Sequence, residues 1–460
     1  MDGGLSISTY RHAKDQRMVL KDCSALFQNQ PNERTKKTVY NIGLHIYALC
    51  AWIASFFNKK IKLMVDGQRQ TYRILRKNIG KNDRVVWFHA ASLGEFEQGR
   101  PIMERLRKNH PEYKILLTFF SPSGYEVRKD YEGADVICYL PFDTSRNSRI
   151  FINLAHPEIA VFIKYEFWHN YLKRLHRRGV KTYSVSSIFR PTQGFFRWWG
   201  SAFVLRQFDH FFVQNEKSKQ LLHGIGIDCC TITGDTRFDR VIDIRNAAKP
   251  LPIVEQFAGH AETVGKGRKV FIAGSSWEPD ENIYIPYFNQ HRDWKLIIAP
   301  HVIKPSHLES IEHLLEGRRC VRYTQLEQMA AKGEDTSETI RQAEVLIIDC
   351  FGKLSSIYRY GSMALVGGGF GAGIHNVPEA AVYGIPVLFG PNNHKFREAR
   401  ALLACGGSFE YTDSESFATL VDKLRTDARF LEESGTKAGD YIQQNSGASD
   451  LCYQAIFKQG

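Results

Sequence analysis

The chain has 460 residues, 43% of them hydrophobic, with 61 Lys and Arg against 49 Asp and Glu. That length holds two or three ordinary domains, and the composition is neither that of a disordered chain nor that of a repeat array. A formal charge of +12 points to an anionic partner: a phosphorylated substrate, an anionic membrane or nucleic acid. The nine cysteines form no C-x-x-C pair and no Cys/His zinc spacing, which argues against a disulfide framework and against a metal site.

Residues 1–38 are polar, mixed in charge and aperiodic, and read as a poorly ordered extension. Residues 39–57 (VYNIGLHIYALCAWIASFF) contain no Asp, Glu, Lys or Arg, and Lys59, Lys60 and Lys62 follow at once. Residues 39–62 therefore read as a membrane anchor whose trailing lysines place the rest of the chain on the cytoplasmic face. Two forms stay open, a span and a helix lying in the interface. A buried core helix is the structural alternative.

From residue 63 onward, short apolar runs alternate with amphipathic stretches. The first series comprises 84–89, 114–119, 136–140, 159–163, 182–186 and 210–213, with helices at 96–109 and 169–178 between them. The runs are rich in Val, Ile and Phe and lack period-two alternation, as expected of strands buried on both faces. A second series follows a loop-like stretch over 234–269, with strands at 270–273, 294–299, 345–348, 364–366 and 386–389 and helices at 306–315 and 377–383. The fold class is α/β, two Rossmann-like doubly wound parallel sheets facing a cleft. The domains expected are 63–240 and 241–460, the latter closing in a helical tail from about Asp413.

Three segments carry candidate chemistry. In W-F-H-A-A-S-L-G-E, Glu95 follows a strand and opens a helix. Ser92 and Glu95 also have the S-x-x-E spacing of a capping box, a purely structural reading. Glu166, in I-K-Y-E-F-W-H-N, follows another buried strand. Two acids at strand ends of one sheet suit deprotonation of a hydroxyl. In V-G-G-G-F-G-A-G-I-H-N-V-P-E, a strand runs into glycines and then a helix, which fits a phosphate cradle flanked by His375 and Glu379. Lys395 and Arg397 in the next loop would stand near a bound phosphate.

No acid lies between Ala380 and Arg397 to hold a dinucleotide ribose, and G-x-x-x-x-G-K-[ST] is absent, so a nicotinamide dehydrogenase and a P-loop NTPase are both poor fits. No RNP-type module supports nucleic-acid binding.

Taken in order, H-A-A-S-L-G-E, Y-E-F-W-H-N, G-D-T-R-F-D, H-N-V-P-E and F-G-P-N-N-H-K-F-R-E resemble the Kdo (3-deoxy-D-manno-octulosonic acid) transferase family from about residue 39 to the C-terminus. The resemblance implies a GT-B fold, an inner-membrane anchor, CMP-Kdo as donor, a lipid A precursor (lipid IVA) as acceptor, and inverting transfer without a metal or cofactor. It places Glu95 on the general base and Glu166 on a second essential acid. Gly368, Gly369, His375, Asn376 and Glu379 fall on the CMP-binding segment, and Ser275, Ser276 and His301 on further donor contacts. The chain departs from the family pattern at His169, Pro300 and Ile374. The competing functions are a lipid-linked GT-B transferase using a UDP-sugar, separable by which nucleotide protects against unfolding, and a non-catalytic module that binds anionic lipid.

Overall fold

A computed structural model describes residues 33–197, 202–259 and 269–458. Of the extension expected over residues 1–38, residues 1–32 lie outside these residues, and residues 33–38 are helical, which corrects the expectation there. The chain divides into two compact units, residues 1–236 with 447–460, and residues 237–446.

The first unit is built on a seven-stranded sheet: β1 (Arg84–Ala90), β2 (Tyr113–Phe119), β3 (Val136–Tyr139), β4 (Ile159–Ile163), β5 (Lys181–Ser187), β6 (His210–Val213) and β7 (Cys230–Ile232). Their order is β3-β2-β1-β4-β5-β6-β7, and every pairing is parallel. The second sheet comprises β8 (Val270–Ser276), β9 (Lys295–Pro300), β10 (Cys320–Arg322), β11 (Val345–Ile347), β12 (Met363–Val366), β13 (Val387–Phe389) and β14 (Ser408–Glu410). It runs β10-β11-β9-β8-β12-β13-β14, again all parallel. Parallel strands need helical crossovers on both faces, which is why β1, β8, β9 and β12 are almost wholly buried. In each sheet the strand order reverses beside the first strand, between β1 and β4 and between β8 and β12. Open sheets bind ligands beyond the carboxyl ends at that point.

Two expectations about the connections need correction. The stretch over 234–269 is not loop-like where it is described: helices run Thr236–Ala247 and Pro252–Ala258. Phe238, Val241, Val254 and Phe257 anchor them in the second unit's core. The last residues also do not belong to the second domain. Helix Ala448–Phe457 returns to the first unit, packs on helix Leu93–Asn109, buries Cys452, Tyr453 and Ile456 in the core cluster they share, and pairs Asp450 with Arg105 at 2.6 Å.

At the N-terminus, helix α1 (Glu33–Ala54) ends before the uncharged run does, and helix α2 (Lys59–Asn78) starts after Asn58, whose side chain accepts from Lys60 N and Ile61 N. Among the described residues no single helix is long and apolar enough to cross a membrane. Only together, bent by 119°, do the helices over Thr38–Ala54 and Lys59–Asn78 reach that length and hydropathy. One face of α1 docks on the first unit. Tyr40 donates from its hydroxyl to Asp143 Oδ2 at 2.7 Å, Asn170 Nδ2 donates to Asn41 Oδ1 at 2.8 Å, and Tyr47 packs edge-on to Phe142. The other face leaves Val39, Ile42, Ile46, Leu49, Ile53 and Phe56 exposed at three- and four-residue spacing.

Asp143 is fully buried, and its carboxylate also accepts from the amides of Asn170 and Tyr171. Desolvation outweighs these bonds and pushes its carboxyl up to about 7. Because the folded value lies above that of the unfolded chain, the native state holds the proton more tightly. This contribution is fully present below about pH 4 and is lost as pH rises through about 7. Thermal unfolding followed from pH 5 to 8 is expected to show falling stability in the native chain, and Asp143→Asn to flatten that slope. The full swing is at most about 4 kcal/mol.

Candidate active site

In the first unit, β1 ends at Ala90 and delivers Ser92 and Glu95 to the carboxyl edge of the sheet, while β4 delivers Glu166 to the same edge. Ser92 is the N-cap of helix Leu93–Asn109 but makes no side-chain capping bond. Its hydroxyl donates instead to Glu95 Oε2, so the capping-box reading is not realised. Glu95 is half-buried at the first turn, where the helix dipole favours a carboxylate. Glu166 follows Lys164, which adopts a left-handed backbone (φ 64°) as the chain leaves β4. Glu166 Oε2 accepts from Trp168 Nε1 at 2.7 Å and lies 3.1 Å from His89 Nε2. His89 is a site residue that local sequence does not announce, although it sits within the same motif as Glu95. Both acids flank the strand-order reversal between β1 and β4.

In the second unit, β8 ends in Ser275, also left-handed at φ 52°. Ser276 is fully buried and its hydroxyl donates to Glu281 Oε1 at 2.9 Å. Ser275 is the partly exposed member of the pair. The glycine loop after β12 packs against this strand end. A Cβ on Gly367 would stand 2.4 Å from Ser275 O. Gly368 turns at φ 94°, and its amide donates to Asp280 Oδ2 at 3.0 Å. Asp280 also accepts from Trp277 N and the Tyr411 hydroxyl, and burial raises its carboxyl above the usual range. Gly368 therefore serves the turn with its amide already bonded. Among the described residues, the amides of Gly369, Phe370, Ala372, Gly373 and Ile374 have no hydrogen-bond partner, and these are the donors left for an anion.

The helix expected over 377–383 is a single turn, Pro378–Ala381, so no extended helix dipole backs this loop. Asn376 is not its side-chain cap, for its Nδ2 donates to Glu379 Oε1 at 2.7 Å. Three rings from three loops stack beside it. Trp277 and His301 lie 4.5 Å apart, and His301 and His375 4.4 Å, both at 23°. Trp277 Nε1 donates to His375 Nε2 at 3.2 Å, so neutral His375 carries its proton on Nδ1. Burial, then the neighbouring His301, depresses the His375 imidazolium and favours that neutral form. Lys395 is exposed in the loop after β13 and Arg397 is exposed as the first residue of helix Arg397–Cys405, and neither has an ion pair among the described residues.

A sequence profile described as 3-deoxy-D-manno-octulosonic-acid transferase (kdotransferase) matches residues 67–240. A 3-deoxy-D-manno-octulosonic acid transferase of Rickettsia bellii is 24% identical over 86% of this chain and 94% of its own length. Those of Aquifex aeolicus and Bordetella pertussis are 24% and 25% identical, over 78% and 81% of this chain and 92% and 86% of theirs. The chain is similar to the Kdo transferases over most of its length. Solved structures agree on the fold of such a transferase. UDP-GlcNAc 2-epimerase from Neisseria meningitidis has a TM-score of 0.55 at 15% identity, covering 82% of this chain and 100% of its own. MurG of Acinetobacter baumannii has 0.51 at 11% identity, with the same coverages. The fold is therefore GT-B-like in having two seven-stranded parallel sheets.

Proposed function

We propose that the chain moves Kdo from CMP-Kdo to lipid IVA with inversion, working on the cytoplasmic face of the inner membrane. The observation that carries this reading is the placement of Glu95 and Glu166 at the strand-order reversal of the first sheet in a relative of the Kdo transferases. Glu95 takes the proton of the acceptor hydroxyl as that oxygen attacks the anomeric carbon from the face opposite CMP. The open amides of the glycine loop, neutral His375, Lys395 and Arg397 hold the donor phosphate and the charge that CMP carries away. Glu379, held by Asn376, is suited to the ribose hydroxyls. The test is incubation with CMP-Kdo and tetra-acylated lipid A precursor, followed by mass spectrometry of the lipid. Unmodified lipid with CMP-Kdo, and a product with a UDP-sugar instead, would overturn the assignment of donor.

Attachment follows from α1. Its docked face carries Tyr40, Asn41 and Tyr47, which suits a helix lying in the interface better than one crossing the bilayer, with Lys59, Lys60 and Lys62 meeting anionic headgroups. Ile46 and Ile53 are about half exposed, so replacing both with Glu should leave the melting temperature unchanged. Burying such a side chain is worth about 1.5–3 kcal/mol. The pair should lower sedimentation with anionic vesicles by roughly 100-fold or more.

A further inference from the structure

Glu166 sits at the end of a line of hydrogen bonds that crosses three neighbouring strands. Thr118 on β2 and His89 on β1 are register partners, and Phe162 on β4 is the partner of His89 on the other side. Trp87 Nε1 donates to Thr118 Oγ1 at 2.8 Å, Thr118 Oγ1 lies 2.9 Å from His89 Nδ1, and His89 Nε2 lies 3.1 Å from Glu166 Oε2. Trp87, Thr118 and His89 are fully buried.

The directions of these bonds follow from the groups themselves. The Thr118 hydroxyl has one proton. His89 Nδ1 lies 2.9 Å from that hydroxyl and 3.1 Å from the Thr118 carbonyl oxygen, but Nε2 faces the Glu166 carboxylate oxygen at 3.1 Å, a charged acceptor that draws the ring proton to Nε2 and leaves Nδ1 to accept the hydroxyl proton. His89 then carries its own proton on Nε2. His89 Nε2, Trp168 Nε1 and Glu166 Oε2 form a triangle, since Trp168 Nε1 is also 3.0 Å from His89 Nε2. Two N–H groups face one carboxylate oxygen there, and the oxygen is the only member that accepts from both. Oε2 is thereby fully occupied, and Oε1 has no partner among the described residues.

We propose that Thr118 and His89, together with Trp168, are positioning residues that pin Glu166 through Oε2 and leave Oε1 as the single acceptor offered to the sugar substrate. The assignment rests on the transferase reading above. It differs from the arrangement at Glu95, whose carboxylate meets only the Ser92 hydroxyl among the described residues. Glu166 is built to stay still.

The experiment compares Thr118→Val, Thr118→Ser and Trp168→Phe in the full chain, measuring kcat and KM with CMP-Kdo and lipid IVA, CMP affinity and melting temperature. Val removes the hydroxyl that donates to His89 Nδ1, leaving Nδ1 facing the Thr118 carbonyl oxygen, which favours a proton on Nδ1, and Ser restores the donor. Phe removes the second donor to Oε2 but keeps an aromatic ring beside Phe120. A displaced catalytic group costs on the order of 10–100-fold in rate. That loss is expected in kcat for Val and Phe, with CMP affinity unchanged and the rate recovered in Ser. Native kcat in both Val and Phe would overturn the proposal. Should Val fail to fold, Trp168→Phe decides the matter alone, because Trp168 is partly exposed and its replacement leaves the buried line intact. Imidazole nitrogen shifts of ¹⁵N-histidine protein, with His89 assigned by its loss in His89→Gln, give a readout independent of turnover. A proton on Nε2 is expected and one on Nδ1 alone would refute the relay. A native chain that transfers no Kdo would sink the functional reading while leaving this spectroscopic test standing.

Discussion

Glu95→Gln is expected to abolish nearly all Kdo transfer while leaving CMP affinity and the melting profile near native. A general base is worth about 10²–10⁴ in rate. Gln keeps the length of the side chain and an oxygen to accept from the Ser92 hydroxyl, which is the bond Glu95 makes in the folded chain. It cannot take a proton. Since Ser92 forms no side-chain cap, a helix-capping role for Glu95 would predict only a small change in stability and none in rate. Assays with CMP-Kdo and lipid IVA read the difference directly, and Glu95→Ala should lose activity equally. A Gln variant that transfers sugar at a substantial fraction of the native rate returns Glu95 to a structural role and makes Glu166 the candidate base.

What was legible in the sequence, and what was not, divides along the range of the interactions. Strands such as β1, β4 and β12 announce themselves because burial on both faces demands an unbroken apolar run. The three-residue strands β7, β10 and β14 carry no period of their own and exist only as pairings at the flanks of their sheets. Glu95, Glu166 and the glycine loop were visible because each follows a strand directly. Their supporting residues were not. His89 reads as one more strand residue until β2 brings Thr118 to one side of its ring and β4 brings Glu166 to the other. Asp280 and Ser276 lie in S-S-W-E-P-D, where only the fold turns the acid onto the Gly368 amide and the hydroxyl onto Glu281. Asp143 is a lone acid in a polar-looking stretch, and its partners come from 103 residues earlier and 27 later. The return of helix Ala448–Phe457 to the first unit is likewise a tertiary contact that no local pattern encodes.

The glycine loop permits the second large prediction, a contrast between two positions two residues apart. Gly369 and Gly390 meet backbone to backbone where the loops after β12 and β13 touch. A Cβ on Gly369 would lie 2.5 Å from Gly390 Cα, 2.6 Å from its N and 2.7 Å from its C. Nothing flexible can yield there, and the same residue's carbonyl accepts from Asn392 N at 2.9 Å, so the two loops must part. Overpacking of this kind costs about 1–3 kcal/mol or more. Much of it would fall on the loop proposed to hold the donor phosphate, lowering CMP affinity by about 10–100-fold at 1.4 kcal/mol per decade. A Cβ on Gly371 meets only Gly368 O at 3.7 Å, an ordinary contact, with no left-handed backbone to strain. Calorimetric titration with CMP should therefore show Gly369→Ala crippled and Gly371→Ala within a few-fold of native, at similar melting temperatures for Gly371→Ala and the native chain. Equal affinities in the two variants would mean that the loop does not hold the donor, and would move the phosphate site to the cations at Lys395 and Arg397.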